Sequence, residues 1–167
     1  MDRRKAESEV FFQQLQSHDL EKDHKDIQRQ ALAGMLWSKQ LYYYNVQEWL
    51  NGDPSAPLER KNDRNAQWRH MDNFDIMSMP DKWEYPWYAV LDTAFHCLPL
   101  AVTDIEYAKS QLLLITREKY MHPNGQLPAY EWSYGDVNPP VHAWACWNVY
   151  TMEKNHRRQN LAADGTQ

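Results

Sequence analysis

Residues 79–99, MPDKWEYPWYAVLDTAFHCLP, and residues 122–140, HPNGQLPAYEWSYGDVNPP, set single acidic side chains inside aromatic and apolar runs. Together with Trp144 and Trp147 just beyond them, they hold Trp83, Trp87 and Trp132, which makes five of the eight tryptophans of the chain. Indole and phenol faces stack on the C–H faces of pyranose rings. A carboxyl group in a poorly hydrated pocket can keep its proton and donate it to a glycosidic oxygen. The pattern therefore points to a sugar site, and the competing reading is an aromatic-rich helical core, since buried aromatic side chains usually serve packing.

Outward from this stretch, apolar spacing reads as helices. Residues 87–102 are mostly apolar, with Pro86 suited to a first helical turn and Pro99 placed to kink or end the helix. Thr103-Asp104-Ile105-Glu106 has the form of a capping box, and Ile105, Ala108, Leu112 and Ile115 make a helical stripe continuing to about Tyr120, so that these two segments form a helical hairpin. His122-Pro123-Asn124-Gly125 ends it, and Asn138-Pro139 opens another helix with Val141, Ala145, Val149 and Met152 on one face.

Toward the N-terminus, residues 3–16 read as a short amphipathic helix with Val10, Phe11 and Leu15 as its apolar members. A second helix spans residues 23–39, carried by Ile27, Ala31, Leu32, Met35 and Leu36. Residues 41–50, LYYYNVQEWL, have strand-like content and also suit an extension of that helix, closed by Gly52-Asp53-Pro54 in either case. Residues 54–65 read as a surface loop and residues 67–82 as an irregular segment leading to the site. After Tyr150 the chain turns polar and is expected to fray. The fold class predicted is all-α, about five helices joined by long aromatic loops, with a domain over residues 1–150 and a polar tail over residues 151–167.

Composition narrows the function. The chain has 167 residues, within the range of one domain of roughly 100–200 residues. Eighteen basic against 23 acidic residues, net charge −5, leave no footprint for nucleic acid. The N-terminal residues lack an apolar signal segment and no run approaches a membrane span of roughly 18 apolar residues, so a soluble cytoplasmic protein is expected. Cys97 and Cys146 lie far apart in apolar runs and read as reduced core thiols. No phosphate-binding glycine loop, serine-hydrolase elbow or metal-ligand spacing occurs, so neither cofactor nor metal is expected.

Asp92 is the sharpest chemical candidate. It interrupts the run Ala89-Val90-Leu91-Asp92-Thr93-Ala94-Phe95, where aspartate is a poor helix former and an unpaired buried charge is costly. It must face a pocket at a helix end or be paired, and a carboxyl favoured in its neutral form suits a general acid. Its alternative role is a helix-start carboxylate favoured by the dipole, or paired with Arg69 or Lys82. Glu131 and Asp136, on a loop ahead of a helix start, could grip sugar hydroxyls, although Asp136 or Asn138 could equally cap that helix. His96 and His142 have no HxxxH partner and read as core or supporting histidines.

Residues 79–88, Asp92-Thr93-Ala94-Phe95-His96, His122-Pro123-Asn124-Gly125 and Gly135-Asp136-Val137-Asn138-Pro139-Pro140 resemble bacterial-type members of glycoside hydrolase family 63, relatives of the processing α-glucosidase and of mannosylglycerate hydrolase. The similarity extends over about residues 3–150 and takes in residues 30–40, QALAGMLWSKQ. It implies part of an (α/α)6 toroid and inverting hydrolysis of α-linked glucosides or mannosides in an oligosaccharide or small glycoside. By the same resemblance Asp92 falls on the general acid, and Trp83, Tyr85, Trp87, Tyr130, Glu131 and Asp136 line the sugar site. Leu91 stands where the family commonly has tryptophan. The family's general base is a glutamate further downstream than this chain reaches, so a segment inactive alone is expected, completed by the missing half of the barrel or by self-association. A non-catalytic carbohydrate-binding module and a structural helical protein are the other expectations.

Overall fold

The computed structural model describes residues 1–55, 64–79 and 81–163. Most of the loop expected at 54–65 lies outside the described residues, as do Pro80, Asp164 and Gly165. In chain order the elements are α1 (Asp2–Leu15), α2 (Lys22–Trp37), β1 (Lys39–Asn45), α3 (Val46–Asn51), β2 (Asp72–Ser78), α4 (Val90–Thr103), α5 (Ile105–Ile115) and α6 (Val141–Ala163).

The fold is mixed α and β, not all-α. Beside the six described helices stands a two-stranded antiparallel sheet in which Lys39 pairs with Ser78 and Asn45 with Asp72. This overturns the all-α class and the partial (α/α)6 toroid of about five helices. Residues 39–45 are a strand and not a continuation of α2, and the segment read as irregular contains β2. The helical reading of β1 fails because Tyr42, Tyr43 and Tyr44 are stiff aromatic residues that suit a pleated surface, with Tyr42 and Tyr44 on one face and Leu41 and Tyr43 on the other. On β2 the inward positions include the polar residues Asn73 and Asp75, which hides the strand from any search for an apolar stripe.

Those polar residues are bonded from far along the chain, although Asn73 Nδ2 is buried without a partner among the described residues. The Tyr134 hydroxyl donates to Asn73 Oδ1 at 3.0 Å, and Asp75 accepts from Lys119 Nζ at 2.6 Å and from the Tyr120 hydroxyl. Burial pushes the Asp75 carboxyl up, but the bonds from Lys119 and Tyr120 outweigh it and hold the group below the usual range. Beneath the sheet, Tyr88 stacks on Tyr120 with ring centres 5.9 Å apart and meets Tyr134 edge-on at 5.8 Å. Tyr88, Tyr120 and Tyr134 are fully buried.

Helices α4, α5 and α6 pack on one another. Ala94, Cys97 and Leu100 of α4, Ala108, Leu112 and Ile115 of α5, and Ala145 and Val149 of α6 share one core. Burying a side chain the size of Leu100 contributes about 1.5–3 kcal/mol. Helix α4 starts at Val90, so Pro86 precedes it, and Pro99 does not end it. Asp104, not Thr103, caps α5 by accepting from Tyr107 N at 2.9 Å. Helix α5 stops at Ile115 and α6 continues through the polar residues beyond Tyr150 as far as Ala163. In α1 the buried residue is Phe12, while Val10 and Phe11 face out. No described helix is long and apolar enough to cross a membrane.

Candidate functional site

Two backbone clamps build the site. Val90 N bonds Ala129 O at 2.9 Å and Glu131 N bonds Tyr88 O at 3.0 Å, fixing the 129–134 loop against the approach to α4. Asp92 therefore lies in the first turn of α4, where the helix dipole favours a negative group, beside Tyr130 from the loop. Asp92, Trp87, Ala89, Leu91, Ala129, Tyr130 and Asn138 line a cleft of about 140 Å³. Leu91 and Asn138 also border a neighbouring cleft of about 460 Å³, which takes in Gln126, Asp136, Pro139 and His142.

Three of the expected residues, Asp92, Trp87 and Tyr130, thus meet in one cleft, and Asp136 lines the adjoining one. The nearby Asp136 carboxylate pushes the Tyr130 phenol above its ordinary value. Glu131 is engaged elsewhere. Its Oε2 accepts from the Tyr42 hydroxyl at 2.6 Å, its Oε1 lies 3.5 Å from Arg64 Nη2, and its backbone carbonyl accepts from Asn65 Nδ2. Burial first, and then the Glu131 carboxylate, raise the Tyr42 phenol far above its usual range. Both oxygens of Glu131 hold the loop to β1 and to residue 64, so its carboxylate ties the scaffold beneath the clefts.

Aromatic side chains continue outward from Trp87. Tyr85 meets Trp87 edge-on at 5.0 Å and Trp87 meets Trp132 at 5.8 Å. The Arg64 guanidinium lies 4.0 Å from the Trp132 ring centre and 4.4 Å from that of Trp49, a cation sandwiched between two indoles. Trp83 stands apart from these contacts at 86% exposure, on a turn where Asp81 accepts from the backbone N–H groups of Trp83 and Glu84. Arg64, Trp49 and Asn138 were not anticipated as site residues. Arg64 sits in a polar segment without periodicity, which gives no signal for a side chain that stacks on two distant indoles.

One turn beyond Asp92, His96 Nδ1 is 2.9 Å from Ser78 Oγ at the end of β2, and Ser78 N donates to Gln111 Oε1 at 3.1 Å. Burial lowers the His96 pKa below its ordinary value, and the Asp92 carboxylate opposes that shift without cancelling it. His96 is thus tied to the end of β2, whereas His142 borders the larger cleft. Cys97 is a buried thiol pushed up to about 12 by burial, but Cys146 is exposed, so only one of the two is a core thiol. No group of three His, Cys, Asp or Glu side chains suited to a metal ion occurs among the described residues.

No protein-family model matches this chain. No solved structure matches it significantly. Over 158 residues it is 52% identical to a protein of Saccharomyces cerevisiae named "Uncharacterized protein YMR196W", a match taking in 92% of this chain and 14% of the yeast protein. The chain thus spans a small part of the length of the relative it matches.

Proposed function

We propose that this chain supplies the proton donor and much of the aromatic sugar-binding surface of an inverting glycoside hydrolase acting on α-linked glucosides or mannosides, in the cytoplasm. The supporting observation is the meeting of Asp92, Trp87 and Tyr130 in a single cleft beside a second that includes Asp136. The sugar class and the stereochemical course come from the resemblance to glycoside hydrolase family 63. In this reading Trp87 packs on a pyranose face, Asp92 protonates the departing glycosidic oxygen, and Asp136 holds ring hydroxyls. Trp83 and Tyr85 extend the stacking surface. Inversion requires a second carboxylate roughly 6.5–9.5 Å from the acid to activate water, and in this reading a further segment of a longer polypeptide, such as the yeast relative is, supplies it.

The Trp87–Trp132–Arg64 array and the exposed Trp83 favour a second reading, a carbohydrate-binding module without turnover. Tryptophan fluorescence of this chain on adding simple α-glucosides or mannosylglycerate, beside hydrolysis of the same sugars by a chimera in which this chain replaces the matched segment of the yeast protein, separates the two. Binding that survives Asp92→Asn while turnover drops by roughly 100-fold or more supports the acid. Unaltered hydrolysis by that variant overturns its role, and absence of any fluorescence response overturns the sugar site.

A further inference from the structure

The outer face of the sheet is apolar and bare. Leu41 is 60% exposed, Tyr43 57%, Phe74 62% and Ile76 59%, and the register sets Leu41 opposite Ile76 and Tyr43 opposite Phe74. Cross-strand pairs of this kind normally lie under another layer, because a two-stranded sheet has one face on the core and leaves the other to water only when that face is polar. A contiguous exposed apolar patch marks a surface that meets something else.

The surroundings specify what that something carries. At the Tyr43 end the Tyr43 hydroxyl donates to Glu48 Oε2 at 2.7 Å, and Asp72 is on the same face of β2 as Phe74 and Ile76. At the opposite end Lys39 is taken up by Asp104 at 3.3 Å and by the Tyr107 ring at 3.8 Å. The patch is therefore apolar with an acidic border. Its neighbour in a longer chain is suggested by the yeast relative, in which the matched segment is 14% of the protein and most of the polypeptide lies outside it.

We propose that the Leu41–Tyr43–Phe74–Ile76 face is the docking surface for further polypeptide of the kind the yeast protein carries outside the matched segment, an apolar surface with basic side chains opposite Glu48 and Asp72. The inference does not depend on the chemistry of the Asp92 cleft, which is formed by other residues.

The test compares this chain alone with a chimera in which it replaces the matched segment of the yeast protein. Hydroxyl-radical footprinting should show modification of Tyr43 and Phe74 falling about tenfold in the chimera, as expected for side chains removed from water at an interface core. The double variant Leu41→Thr, Ile76→Thr keeps strand-compatible residues, so the melting temperature of the chain alone should move by no more than about 2 °C while that of the chimera falls by more than about 5 °C. Equal modification in both proteins, equal shifts in both, or a chimera that does not fold would each overturn the proposal. So would sedimentation showing that the chain alone forms a dimer protecting the same two residues, because the occupant is then a second copy.

Discussion

Asp92 and His96 stand one turn apart on α4, and their charges are coupled. The imidazole is held by Ser78 on one side and disfavoured as a cation by burial, while the Asp92 carboxylate pulls the other way. Replacing Asp92 with asparagine removes the attraction, so the His96 pKa should fall further, a shift that proton NMR of the imidazole reads directly. An unchanged or higher value would mean that the carboxylate does not act on His96. The sign for stability follows. A histidine whose pKa is lower folded than unfolded binds protons better in the unfolded chain, so its contribution is present above about pH 6.5 and is lost as pH falls through the folded value. Asp92 was legible in the sequence because an acidic residue within an apolar run needs a physical reason. The engagement of Glu131 was not, since Tyr42 and Arg64 lie 89 and 67 residues away from it.

Two glycines separate what a helix needs from what a turn needs. Gly34 lies inside α2 with nothing within 4 Å of a Cβ placed on it, and its backbone is helical. Gly34→Ala should stabilise the chain by about 0.4–1 kcal/mol, by removing flexibility from the unfolded state and improving helix propensity. Gly125 has equal room but sits at φ 89°, in the turn where its N–H bonds His122 O at 2.8 Å. Gly125→Ala should destabilise by about 1–2 kcal/mol, through backbone strain alone. Urea unfolding of both variants tests the contrast, and equal shifts would refute the conformational argument. Gly125 was readable as a chain-reversal residue from His122-Pro123-Asn124-Gly125. Strand β2 was not readable, because Asn73 and Asp75 occupy inward positions and bonds from the distant Tyr134, Lys119 and Tyr120 make that tolerable.

Across the whole molecule the interior is unusually phenolic. Burial comes first in raising Tyr42, Tyr88, Tyr107, Tyr120 and Tyr134 above the ordinary tyrosine value, and Cys97 is pushed up to about 12. Each favours the protonated folded state, so the tyrosine contribution to stability is complete below the unfolded value of about 10, and that of Cys97 below about 8.5, and each is lost as pH rises beyond it. Tyrosinate absorbance should therefore appear in two phases. The buried group ionises only together with loss of helix, so one phase coincides with the fall in helical circular dichroism. A single smooth titration of all tyrosines in a folded chain would contradict the buried cluster.

The chain's periodic apolar positions determined α2, α4, α5 and α6 to within a few residues at most of their starts, because helix contacts are local and their 3.6-residue spacing is written in neighbouring positions. The same local logic singled out Asp92 and the aromatic stretch around it. Tertiary structure alone decided that residues 39–45 pair with 72–78, that Glu131 ties the scaffold, and that Arg64 stacks between Trp49 and Trp132. Each of these depends on groups tens of residues apart meeting in a register that only the folded chain supplies, so no local pattern could encode it.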